Sequence, residues 1–292
     1  MSRKNGGIIG PANTPVGGFI SGVAGGVWRM NDVANFVGNS QWPKAPENID
    51  NSLRFNRSSS DTLTRTPSKD GDRQKFTISL WIKKSSLSVQ QLVFSCGTYS
   101  EINLKDDGQL YVQVSNNNVS GASAIRTNRV LRDVSAWYHI VVACDTTQGT
   151  ASNRLRLYIN GSEETSFALD QRSAITQNMS TAICGQFEHR FGIDENTSNY
   201  YGGYLAEAVL IDGQQLDPTS FGETDTTTGI WKPKKIGQIA NAGTNSFYLN
   251  FKDSSNVGKD ESGLGNNFTV NNLTSIDQST DTCVENYATL NP

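Results

Sequence analysis

The feature that most constrains this chain is a period of two. Phe76, Ile78, Leu80 and Ile82 alternate with Thr77, Ser79, Trp81 and Lys83. Leu110, Val112 and Val114 alternate in the same way, as do Leu155, Leu157 and Ile159. Successive side chains of an extended strand point to opposite faces, so such runs predict half-buried strands. Turn chemistry separates them. Asp106-Asp107-Gly108 stands between EINLK and QLYVQV. Asn160-Gly161 follows RLRLYI, and this dipeptide favours a tight hairpin turn. About a dozen short strands at this spacing predict a β-sandwich. No segment carries a long amphipathic helical period, and DPTSFGE from Asp217 to Glu223 suits only a single helical turn.

A chain of 292 residues buries a core large enough to need neither disulfide nor metal. Only 18% of it is charged, and 27 glycines with many Ser, Thr and Asn supply turns instead. The formal net charge of −3 provides no basic excess, which argues against a nucleic-acid partner. No apolar run approaches the ~20 residues of a membrane helix, so no membrane insertion is expected. Arg3 and Lys4 are followed by Gly6, Gly7, Gly10 and Pro11, which break any apolar run. The expectation is cytoplasmic synthesis without a signal peptide. Cys96, Cys144 and Cys184 lie in apolar strand-like runs, Cys283 lies near the end, and none has CxxC spacing. They read as buried free thiols.

Residues 1–48 differ from the rest. Glycines punctuate an apolar segment in which Ile8, Ile9, Phe19, Ile20, Val27 and Trp28 are too hydrophobic for a solvated linker. They read as the anchors of an extended arm that packs on a partner surface. Residues 49–292 form the body, with 237–292 supplying closing strands and an irregular tail. There Phe247, Leu249, Phe251, Phe268 and Val270 read as inward-facing positions.

FTISLWIK (Phe76–Lys83), AWYHIVVACD (Ala136–Asp145), RLRLYINGSE (Arg154–Glu163) and GGYLAEAVLIDGQQLDP (Gly202–Pro218) occur in an order that resembles laminin-G-like and concanavalin A-like domains. The resemblance implies an all-β, concanavalin A-like (laminin-G-like) jelly-roll sandwich, here with a Gly-rich N-terminal arm. That fold hosts lectins, hydrolases, adhesion modules and structural proteins, so it does not fix a function. The arm, TGIWKPKK (Thr228–Lys235), FKDSSNVGKDESGLGNNFTVNNL and the ending ATLNP resemble virion structural proteins of tailed bacteriophages, especially marine ones. DESGLGNNF (Asp260–Phe268) resembles a segment that precedes the first strand of laminin-G-like domains, yet here it follows the body. A circularly rearranged sandwich is the favoured explanation, and a second small sheet the alternative.

The candidate sites divide by chemistry. Related hydrolases carry E-x-D-x-x-E on one strand, which sets acids on one face. The nearest match, Glu223-Thr-Asp225-Thr-Thr-Thr228, lacks the third acid, so no enzyme activity is expected. His139 shares a strand face with Trp137, Val141 and Ala143 and reads as a satisfied histidine. His189 stands between Glu188 and Arg190 with no triad or zinc spacing. The family holds calcium at the sandwich rim, and Asp253, Asp260, Asn266 and Asn267 cluster in one loop as a candidate structural calcium site. Asp194, Glu195 and Asn196 form another such loop, although these residue types also simply make turns. No cofactor is otherwise required. Tyr99, Tyr200, Tyr201 and Trp231 are candidate contacts for a glycan or a protein, and the sequence leaves both open.

The expectation is a non-enzymatic protein of the virion surface. It would be a capsid decoration or a head or tail fibre, anchored through its arm to capsid or tail proteins. Its jelly roll would face outward toward host surface glycans, with homo-oligomers as a further possibility. The alternatives are a tail-associated lectin-like adhesin and, more remotely, a polysaccharide hydrolase.

Overall fold

The computed structural model describes residues 49–116, 123–194, 198–226, 228–236 and 240–285. The chain separates into two units, residues 1–48 and 49–292, and the fold is that of the second. The arm positions Ile8, Ile9, Phe19, Ile20, Val27 and Trp28 lie outside the described residues.

Eighteen strands are present among the described residues. They are β1 (Ser52–Phe55), β2 (Thr62–Arg65), β3 (Lys75–Lys84), β4 (Gln91–Cys96), β5 (Ser100–Leu104) and β6 (Gln109–Gln113). Then come β7 (Ala124–Val130), β8 (Tyr138–Asp145), β9 (Leu155–Ile159), β10 (Ser162–Glu163), β11 (Phe167–Asp170) and β12 (His189–Phe191). The last are β13 (Gly203–Asp212), β14 (Gly222–Thr224), β15 (Trp231–Pro233), β16 (Phe247–Leu249), β17 (Thr269–Asn271) and β18 (Gln278–Ser279). Helical structure among the described residues is confined to single 3₁₀ turns, one of them Pro218–Ser220.

The strands form two eight-stranded antiparallel sheets. The first has the order β10-β9-β8-β3-β13-β1-β18, with β16 also paired to β13. The second runs β11-β7-β6-β5-β4-β12-β2-β17, and β14 and β15 make a separate ribbon. Alternation explains how the sheets meet. Phe76, Ile78, Leu80, Ile82, Ile140 and Val142 project from the first sheet into the same buried core as Phe94, Ile102, Leu104, Leu110, Val112 and Phe191 of the second. Each such side chain, once covered, stabilises the fold by roughly 1.5–3 kcal/mol. The β9–β10 turn places Asn160 and Gly161 at φ 49° and 79°, as a tight hairpin requires. All four cysteines are buried free thiols.

The C-terminal stretch enters both sheets. β16 and β18 join the first and β17 joins the second. Phe247, Leu249, Phe251 and Phe268 lie in the common core, and Val270 packs against it. These strands do not build a second small sheet; the small ribbon comes instead from β14 and β15. β13 carries a bulge between Ala206 and Val209 opposite β3. On one side of this bulge β13 pairs with β1 through Gly203–Leu205, and on the other it pairs with β16 through Ala208–Leu210. Glu207 sits at this hand-over with φ 48°, a left-handed backbone that costs a side-chain-bearing residue energy and persists because both flanking pairings hold it.

Candidate functional site

The outer face of the first sheet is closed by the chain itself. On it lie Trp81, Trp137, His139, Val141, Ala143, Ala206 and Val209, all buried. Trp231 of the β14–β15 ribbon stacks on His139 at 5.9 Å, and Trp81 stacks on the same imidazole at 4.6 Å. The Trp231 indole N–H donates to His139 Nδ1 at 2.9 Å. An indole can only donate, so Nδ1 is the bare nitrogen and the proton resides on Nε2. Nε2 therefore donates to Ser79 Oγ at 2.8 Å. The Ser79–His139 pair thus has its donor direction reversed from that of a nucleophile and its base. Burial pushes the imidazole down to about 3, so it stays neutral. Gly161 and Gly222 make the Trp231 seat possible, since a Cβ at either would lie 2.4 or 2.5 Å from the indole. Further along, Asp281 accepts from the Trp137 indole at 3.0 Å and pairs with Lys83 at 2.8 Å.

His189 is also buried and neutral. It donates from Nδ1 to the Phe187 carbonyl at 2.9 Å and accepts the Cys184 N–H at Nε2, and burial lowers it to about 4.

The four aromatic contact candidates are not brought together. Tyr201 is only 1% exposed, and its hydroxyl lies 3.0 Å from both the Lys83 and Tyr204 carbonyls. It is a core residue, because the loop preceding β13 turns it inward beside Phe55. Trp231 is half-buried with its ring committed to His139, so it is not an open stacking platform either. Tyr200 is half-buried in the loop that pairs Asn199 with Leu92, near the start of β4. Tyr99 is exposed in the turn at the far end of β4.

The calcium candidates form a hydrogen-bonded loop. Asp260 Oδ1 accepts the N–H groups of Tyr248 and Ser262, both at 2.9 Å. Its Oδ2 accepts from Asn266 N–H and the Ser262 hydroxyl, both at 2.8 Å. Asn267 Oδ1 accepts the Asp260 N–H, and Asn266 Oδ1 accepts from Arg65. Asp253 instead caps Ser255 and faces Lys259 at 3.6 Å. The oxygens a cation needs are met by N–H and O–H donors, so this set does not fit a calcium ion. Asp194 likewise accepts from Ser198 at 2.8 and 3.0 Å, whereas Glu195 and Asn196 lie outside the described residues. Among the described residues no cluster of three His, Cys, Asp or Glu is placed to hold a metal.

The acids are engaged as well. Lys232 lies 3.5 Å from Glu223 and 3.1 Å from Asp225 across the ribbon. Glu207 is 2% exposed and accepts the Tyr248 hydroxyl at 2.6 Å, while burial raises its carboxyl to about 7. A cavity of about 450 Å³ beside β16 has an apolar floor of Val209, Ile211 and Ile236 and a rim bearing Tyr248 and Glu261. Lys259 holds Glu261 at 2.9 Å.

The outer face of the second sheet has a different character. Ile102, Leu104, Leu110, Val112 and Ile125 take the core side. Alternation therefore turns Glu101 and Asn103 of β5, Lys105 just after it, Tyr111 and Gln113 of β6, and Arg126 of β7 outward. Register sets Glu101 opposite Gln113, Asn103 opposite Tyr111, and Tyr111 opposite Arg126. Tyr111 donates its hydroxyl to Gln113 Oε1 at 2.7 Å, and Asn103 donates to Glu101 at 3.2 Å. Lys105 Nζ sits 4.3 Å from the Tyr111 ring centre. Burial, with the nearby Glu101 carboxylate, pushes the Tyr111 phenol up to about 12. Among the described residues, Asn103 Oδ1, Gln113 Nε2 and Arg126 Nε have no hydrogen-bond partner. Sequence reading missed this patch. Its signal is the polar half of EINLK and QLYVQ, which reads as ordinary solvated surface until the register is known.

A laminin G family model, described as the concanavalin A-like lectin/glucanases superfamily, matches residues 57–218, more than half of the chain. A solved Bacteroides ovatus protein proposed to bind carbohydrate superposes with TM-score 0.58 at 13% identity. The superposition covers 84% of this chain and 64% of that protein, so the chain spans less than two thirds of its length. The SAP-like pentraxin of Limulus polyphemus gives TM-score 0.42 at 17% identity over 58% of this chain and 79% of that one. Domains LG4-5 of the mouse laminin α1 chain give 0.41 at 14% over 60% and 45%. No curated protein sequence matches the chain. With the family match spanning most of the sandwich, and the two-sheet topology to go with it, the chain belongs to the concanavalin A-like lectin/glucanase superfamily.

Proposed function

We propose that this protein is a non-catalytic glycan-binding jelly roll carried on the surface of a tailed-bacteriophage virion, with residues 1–48 as its anchor. One observation carries the glycan reading: the two outer faces are treated differently. The first sheet is covered by its own chain through Trp231, Phe221 and Cys283. The second carries buried amides beside a tyrosine and paired charges, and their hydrogen-bonding capacity is incompletely used among the described residues. Sugars are bound by such planar amide and carboxylate groups beside aromatic rings. Tyr99, in the turn leading into β5, adds an exposed ring at the end of that face. The similarity to a Bacteroides ovatus protein proposed to bind carbohydrate agrees with this reading. The non-catalytic part is supported by Lys232 standing between Glu223 and Asp225, and by the reversed donor direction at Ser79 and His139.

The virion part rests on the resemblance of the arm and the C-terminal motifs to phage structural proteins. Capsid decoration and fibre are the placements it suits.

The full chain, displayed against an array of bacterial surface polysaccharides, is expected to bind at least one without releasing reducing ends. Tyr111→Ala should abolish that binding while Tyr200→Ala leaves it intact. Binding that survives Tyr111→Ala would move the site off the second sheet. For the anchor, protein lacking residues 1–46 should fail to incorporate into particles that lack the protein. Full incorporation would show that the body carries the attachment surface.

A further inference from the structure

The outward face of the second sheet carries a specific hydrogen-bonding deficit. Asn103 is fully buried and Gln113 is 4% exposed, yet among the described residues Asn103 Oδ1 lacks a donor and Gln113 Nε2 lacks an acceptor. Native proteins seldom leave buried amide atoms unpaired, because each costs the full desolvation of the group. The two side chains are diagonal neighbours on β5 and β6, since Glu101 faces Gln113 and Asn103 faces Tyr111. Such neighbours stand about 7–8 Å apart. What the pair lacks is therefore a group that donates one hydrogen bond and accepts another, side by side.

Charge narrows the ligand further. Every cation of this patch already has a carboxylate: Lys105 faces Glu101 at 4.0 Å, Arg126 pairs with Asp107, and Arg190 pairs with Glu188 at 2.7 Å. An acidic sugar finds no unpaired positive charge here. Access is explained by the same residues. Glu101 of β5 and Lys105 just beyond its end flank Asn103 and face each other at 4.0 Å. A pair this long and partly solvated is worth little and yields readily to a ligand.

Building on the glycan-binding reading above, we propose that Asn103 and Gln113 recognise the acetamido group of an uncharged N-acetylated hexosamine, Asn103 Oδ1 accepting its N–H and Gln113 Nε2 donating to its carbonyl. The Tyr111 ring, opposite Asn103, lies alongside to take the apolar surface of the sugar or its methyl group.

The test is calorimetric titration of the full chain with three trisaccharides: β1,4-linked N-acetylglucosamine, β1,4-linked glucose, and α1,4-linked galacturonic acid. The N-acetylated trimer is expected to bind about tenfold or more tighter than the glucose trimer, the worth of one or two matched buried hydrogen bonds. The uronic acid should bind no better than glucose. Asn103→Leu and Gln113→Met should each erase the N-acetyl preference while circular dichroism shows the fold retained. Equal affinity for the glucose and N-acetylglucosamine trimers, or tighter binding of the uronic acid, would overturn the acetamido assignment and leave glycan binding standing. Binding of none of the three, nor of any other glycan on the array, would overturn both. Equal competition by a trialanine amide would show that the patch reads peptide groups and would likewise overturn the sugar assignment.

Discussion

Trp231 donates its indole N–H to Nδ1 of His139, 92 positions earlier in the chain, at 2.9 Å. This one bond fixes the histidine tautomer, fastens the β14–β15 ribbon to the first sheet, and turns the neighbouring Ser79 hydroxyl into an acceptor. It explains why a serine and a histidine in hydrogen-bond contact form a structural clasp.

Replacing Trp231 by Phe keeps a ring over His139 and removes only the donor. The buried Nδ1 is then left unsatisfied, and the expected loss is about 1–3 kcal/mol in urea unfolding. Nitrogen-15 shifts of His139 should show the Nε2-protonated tautomer in the native protein and a mixture in the variant. A native protein protonated at Nδ1 would contradict the assigned direction of both bonds.

Glu207 gives the fold a pH dependence of defined sign. Its folded-state carboxyl is raised to about 7 by burial, above an unfolded value near 4.5. The folded protein therefore holds the proton more tightly between these values. Its contribution is fully present below pH 4.5 and is lost as pH rises through 7. The loss is about 3 kcal/mol. Glu207→Gln should flatten this part of the stability profile and be the more stable protein at pH 8. An unchanged profile would assign the dependence to another group.

The Asp260 loop should be indifferent to calcium. Adding EDTA or millimolar calcium is expected to leave the melting temperature of the full chain where it was. Asp260→Ala, by contrast, strands the N–H groups of Tyr248, Ser262 and Asn266. These residues are only half-buried, so the total cost should be about 1–3 kcal/mol. A calcium-dependent rise in melting temperature that Asp260→Ala removes would restore the site as a metal centre.

Truncation after Ile236 should leave no cooperative fold. It withdraws Phe247, Leu249, Phe251 and Phe268 from the core and exposes the edges of β2 and β13. Differential scanning calorimetry of the fragment is expected to show no sharp transition. A fragment that melts as the whole chain does would make the C-terminal part a separate module.

Much of the fold was legible in the sequence because burial on one face imposes a period of two. Phe76 to Ile82 and Leu110 to Val114 announced their inward sides, and Asn160-Gly161 announced its turn. His139 read as a satisfied histidine from its apolar strand face, and the closed clasp around it agrees. Local pattern could not say which sheet would be covered from outside. That was decided when the segment after Pro218 folded back and laid Trp231 and Phe221 on the first sheet. Packing against Phe55 and Lys83 turned Tyr201 into the core, since loop composition records polarity and not direction. Tertiary packing also consumed the oxygens of Asp260 and Asn266 in hydrogen bonds to Tyr248 and Arg65, partners invisible at the sequence level. The candidate site depended most on tertiary structure. Asn103, Tyr111 and Gln113 are unremarkable polar letters until antiparallel register sets them side by side. The period of two gives each strand its faces, while register and chain cover determine which of those faces remains to meet a ligand.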